Sequence, residues 1–116
     1  MQPNYKNLIV WQKSMELVLE VYLLTENYPR SELYGLVSQS RRCGVSMPSN
    51  IAEGRRRGSD KEFYHFLSIA FGSGAGLETQ IEIAKKLPLG KNLNFTKVDS
   101  LLEEVMKILS VLLINR

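Results

Sequence analysis

Few residues in this 116-residue chain are of a type that could do chemistry. They are one histidine (His65), one cysteine (Cys43), the run Gly72-Ser-Gly-Ala-Gly76, and arginines gathered between Arg41 and Arg57. A metal centre needs three or four nitrogen, sulfur or carboxylate ligands in close register. His65 has no second histidine, no nearby cysteine and no carboxylate pair to join it, and its helical angle turns it away from Phe63, Phe66 and Ala70 toward solvent. Cys43 has no adjacent base to generate thiolate, so it reads as a small buried hydrophobe rather than a nucleophile. The glycine run lacks the Gly-Lys-Ser/Thr of a phosphate loop and the preceding strand of a dinucleotide fingerprint. Each glycine costs about 0.8–1.0 kcal/mol of helix propensity, and in return lets a neighbouring helix come close. With no base, nucleophile or ligand cluster at usable spacing, neither enzymatic activity nor a cofactor is expected.

The arginines remain. From Arg41 to Lys61 stand six basic residues (Arg41, Arg42, Arg55, Arg56, Arg57 and Lys61) against Glu53 and Asp60, a local +4 in a chain of net +3. Clustered arginine is the electrostatic footprint of an anionic partner, whereas a diffuse excess of lysine is not. Arg55-Arg-Arg57 follows Gly54, where a helix ends and cations favour the negative end of its dipole. Three in succession exceed what capping needs, so Arg41, Arg55, Arg56, Arg57 and Lys61 are the candidate phosphate contacts. No recognition helix, zinc module or stacking platform is evident, so base-specific readout is not expected.

Four amphipathic segments must position these side chains. The first spans about Asn7–Asn27, with Leu8, Trp11, Met15, Val18, Leu19 and Tyr22 as its apolar stripe. The second starts after Pro29 with Ser31 as N-cap and buries Leu33, Leu36, Val37, Cys43, Gly44, Met47 and Ile51. Pro48 deletes one amide donor within it, yet the stripe keeps phase, predicting a continuous helix kinked there. Ser59-Asp-Lys-Glu62 has capping-box spacing and opens a third helix that buries Phe63, Phe66, Leu67, Ala70, Gly74, Leu77, Ile81 and Ala84. Thr96 caps a fourth, carrying Val98, Leu101, Leu102, Val105, Ile108, Leu109 and Leu112. Strand alternation is nowhere sustained, so the expected fold is all-α, a single antiparallel up-down four-helix bundle over residues 1–116.

The outward face of the second helix is unusual. Arg42, Ser46, Ser49 and Glu53 lie opposite its core stripe, with Val45 and Ala52 to one flank. A solvated face normally carries long charged side chains, whereas small ones let another backbone approach. These six residues are the expected oligomer interface. No apolar run reaches the ~18–20 residues that span a bilayer, and the polar Met-Gln-Pro-Asn-Tyr-Lys start lacks a signal-peptide core. A cytoplasmic location without membrane contact is expected.

With this segment laid out, the chain resembles the bacterial 23S rRNA intervening-sequence proteins, also called four-helix bundle proteins. The resemblance spans about Leu8 to Leu87. It rests on Val10-Trp-Gln-Lys13, Glu32-Leu-Tyr-Gly-Leu-Val-Ser-Gln39, Arg41-Arg42, Val45-Ser46, Pro48-Ser-Asn-Ile-Ala-Glu-Gly54 and Leu77-Glu-Thr-Gln80. It implies a noncatalytic bundle that forms homopentameric rings with a basic surface. A related group, the accessory proteins of diversity-generating retroelements, binds nucleic acid and a reverse transcriptase, so RNA or DNA backbone and such a protein are the implied partners. The chain departs from the pattern at Cys43-Gly44, where Ala-Ala is common, and at Gly74 and Gly76, where leucine and glutamate are common. A missing leucine at position 74 would leave a hole unless a larger neighbour fills it. Assembly and nucleic-acid binding are thus the leading expectation, and a protein-interaction scaffold using the same arginines is the alternative.

Overall fold

The computed structural model describes residues 4–116. Four helices carry the fold: α1 (Ile9–Thr25), α2 (Ser38–Arg56), α3 (Asp60–Lys86) and α4 (Thr96–Ile114), with no strand among the described residues. Each packs antiparallel against its chain neighbour, and α4 returns beside α1. Arg41 near the start of α2 bonds Thr25 at the end of α1. Gly54 at the end of α2 lies against Phe63 and Phe66 at the start of α3. Lys85 at the end of α3 meets Asp99 in α4, and Lys97 in turn approaches Glu20 of α1. The up-down bundle expected from the periodicity is therefore the one formed.

In α1 the buried face is not the expected one. Val10, Ser14, Leu17, Val21, Leu24 and Thr25 face the core, while Met15, Leu19 and Tyr22 are exposed and Leu8, Trp11 and Val18 only half-buried. Nearly the whole circumference of α1 is apolar, so hydropathy alone does not set its phase. Two buried hydroxyls mask the true face. Ser14 Oγ donates to the Trp11 carbonyl at 2.8 Å and Thr25 Oγ1 to the Val21 carbonyl at 2.7 Å. Each thus satisfies itself on its own helix and can be buried.

The entry to α2 is irregular. A 3₁₀ turn (Arg30–Glu32) leads into a π-helical turn (Leu33–Val37), with Gly35 at φ −109°, ψ −108°. The Glu32 carboxylate, not Ser31, accepts from a free amide there, that of Leu36 at 3.1 Å. The unwinding turns Leu33 out to solvent, against its expected burial. Beyond it α2 runs as one continuous helix across Pro48.

The third start has the expected cap on one side: Ser59 Oγ accepts from the Glu62 amide at 3.2 Å, while the Glu62 carboxylate does not close the return bond of a full capping box. Gly58, at φ 86°, supplies the left-handed residue that follows the Arg57 C-cap and stops α2. Half-buried Phe66 departs from the expected stripe. At α4 the cap falls to Asn94, whose Oδ1 accepts from the Thr96 amide at 2.9 Å, rather than to Thr96.

The core runs through Leu17, Val21, Met47, Ile51, Leu67, Leu77, Ile81, Val105 and Leu109. Gly74 sits in it because a Cβ there would overlap the Met106 sulfur and press on Met47 Cε. The two flexible thioethers fill the space of the missing side chain. Gly76 likewise makes room for Cys43, whose Sγ accepts from Gln80 Nε2 at 3.4 Å.

Candidate nucleic-acid interface

The close of α2 and the opening of α3 build the arginine site. Gly54 is obligatory there, since a Cβ would lie 2.7 Å from Phe66 Cβ and 3.2 Å from the Phe63 carbonyl oxygen. This close crossing brings the first aromatic residues of α3 beneath the last turn of α2. Successive residues on a helix point about 100° apart, so three arginines in a row splay around the bundle end. Each finds a ring. The Arg55 guanidinium carbon lies 5.0 Å from the Phe63 centroid, Arg56 5.4 Å from Tyr5, and Arg57 5.1 Å from Phe66. Tyr5 comes from the turn before α1 and is itself held edge-on against Trp11 at 5.3 Å.

Their remaining partners differ. Arg57 is 3.5 Å from Glu53 in an exposed pair, a geometry worth at most about 1 kcal/mol. Arg55 is half-buried, and its Nε is enclosed without a protein acceptor. Arg56 and Lys61 are exposed. Arg41 is elsewhere. Fourteen residues from Arg55, it stands about 21 Å away along α2, with Nε donating to Thr25 Oγ1 at 3.0 Å and the guanidinium 4.3 Å from the Tyr22 ring. The fold thus brings Arg55, Arg56, Arg57 and Lys61 to one end and ties Arg41 into the α1–α2 packing at the other.

The six candidate interface residues also divide. Ser46 turns to α3, where its hydroxyl lies 2.8 Å from that of Ser73 and accepts from Asn50 Nδ2 at 2.9 Å. Val45, Ser49 and Ala52 line a groove facing α1, whose other wall is Tyr5, Trp11, Met15 and Val18. Arg42 and Glu53 remain exposed on the outer ridge. Sequence reasoning missed this groove because it assigned Trp11, Met15 and Val18 to the core. The signal that pointed to it was the excess of apolar residues on α1 over what one face can bury.

His65 is exposed, with its ring edge-on to Phe66 at 5.3 Å, and Cys43 is a half-buried free thiol. Among the described residues no three histidine, cysteine, aspartate or glutamate side chains are grouped to hold a metal. No helix among them is long and apolar enough to cross a membrane.

The family described as 23S rRNA-intervening sequence protein matches residues 6–111, nearly the whole chain. No curated protein matches it.

Proposed function

The chain belongs to the 23S rRNA-intervening sequence protein family, and on that premise we propose that it is a noncatalytic, homo-oligomeric cytoplasmic bundle that binds nucleic acid through its arginine-bearing end. The observation that carries this reading is the seating of Arg55, Arg56 and Arg57 on Phe63, Tyr5 and Phe66. A guanidinium held over a ring spends no N–H donor on that contact, so its exposed donors remain for phosphate oxygens, most fully in exposed Arg56 and Arg57. Its rotamers are already restricted, so less entropy is lost on binding. Phosphate contacts fix position without reading sequence, which suits a site with no element that could enter a groove. The 23S rRNA-intervening sequence named in the family's description makes RNA the first ligand to try.

Charge reversal of Arg55, Arg56 and Arg57 to glutamate tests the reading against single- and double-stranded RNA and DNA. Loss of binding with retained helicity supports it. Unchanged affinity would return these arginines to the scaffold reading, in which they serve subunit or protein contacts.

Self-assembly is favoured by a separate observation. From Tyr64 to Leu77 there is no lysine, arginine, aspartate or glutamate, although Ser68, Ile69, Gly72 and Ala75 are exposed. An uncharged outer face, together with the α2 ridge, suits contact between copies. A ring of five, as the resemblance implies, would sum several weak arginine ends through effective concentration.

A further inference from the structure

The groove between α1 and α2 is continuous with the arginine end. Its apolar part, about 350 Å³, is walled by Tyr5, Trp11, Met15 and Val18 on one side and by Val45, Pro48, Ser49 and Ala52 on the other. The volume is at the lower end of the ~300–1,000 Å³ of small-molecule sites, large enough for one planar ring system and too small for a helix. Tyr5, Ser49 and Ala52 also line an adjoining, more polar cleft, which carries Asn50, Glu53 and Arg56. Glu53 would repel an anion there, but it approaches Arg57. Arg56, whose guanidinium carbon lies 5.4 Å from the Tyr5 ring centroid, lines this adjoining cleft and is the cation at the mouth.

We propose that this groove takes one nucleobase of a single strand whose phosphate is bound by Arg56. The inference rests on the nucleic-acid reading above and adds to it a preference for unpaired strands. Charge complementarity decides the occupant. A nucleotide is an apolar-faced ring joined to an anion, and the groove offers an apolar slot with Tyr5 and Trp11 on one wall, joined to an arginine. Bases bind such slots by stacking, which is tolerant of sequence because every base has a π-face. A duplex keeps its bases stacked internally and could offer only its phosphates.

The chain has a single tryptophan, so Trp11 fluorescence reports on the groove directly. The experiment titrates the intact protein with a uridine oligonucleotide and with an abasic oligonucleotide of equal length and charge. The expected result is quenching of Trp11 by the uridine strand alone, with about tenfold tighter binding than the abasic strand. Ala52→Leu, which fills the slot, should remove that difference, with circular dichroism confirming the fold. Equal binding without quenching overturns the base site and leaves the arginine reading standing. Binding of neither strand overturns both. If Ala52→Leu dissociates an oligomer while the uridine preference persists, the groove is a subunit seam and the proposal fails.

Discussion

Two helical glycines illustrate how far position outweighs residue type. Gly54 is enclosed by Phe63 and Phe66, whereas a Cβ on Gly72 would meet nothing within 4 Å. Gly54→Ala is expected to destabilise the bundle by about 1–3 kcal/mol through overpacking, and Gly72→Ala to stabilise it by about 0.8–1.0 kcal/mol through helix propensity. Urea denaturation of the two variants checks the opposite signs. Tyr28 makes a second residue-scale test. It is buried, its hydroxyl has no partner, and burial pushes its pKa up to about 12. The neutral form is favoured by the fold, so its contribution is present below the ordinary value of about 10 and is lost as pH rises toward 12. Wild type should lose stability between neutral pH and about pH 11 more steeply than Tyr28→Phe. Equal losses would remove Tyr28 from that account.

At the scale of elements, legibility followed how locally each signal is encoded. The α3 start was readable because Ser59 and Glu62 are three residues apart, and the Ser59 hydroxyl accepts directly from the Glu62 amide. Ser59→Ala should cost about 1 kcal/mol in thermal or chemical unfolding. The phase of α1 was not readable, because Ser14 and Thr25 hide on the buried face behind bonds to their own helix. The π-turn before α2 depends on Glu32 and Gly35 acting together, a conformation no periodicity announces. The reason for Gly74 was hidden as well, since Met106, which fills its space, lies 32 residues away on α4. The arginine run itself was plain in the sequence. That Phe63, Tyr5 and Phe66 would each seat one of its members depends on the close crossing at Gly54 and on the turn before α1.

For the whole molecule, the bundle measures 49 × 22 × 19 Å, and its cations are split between its ends rather than forming one patch. Arg41 is engaged with α1 while Arg55, Arg56, Arg57 and Lys61 occupy the opposite end. If copies assemble, sedimentation should give a closed multiple of the 13.2 kDa protomer, and Arg42→Ala with Glu53→Ala should lower it if the outer ridge is the seam. A monomer at all concentrations would remove the self-assembly reading without touching the arginine site. The central claim is tested most directly by the salt dependence of RNA binding, measured by anisotropy for wild type and for the Arg55→Glu, Arg56→Glu, Arg57→Glu variant. Each arginine–phosphate contact contributes about 0.7–0.9 to the slope of log affinity against log salt. The variant should therefore bind more weakly with a slope shallower by about 2–3. A variant whose affinity and slope both equal those of wild type would contradict the assignment of this end as the phosphate-binding surface.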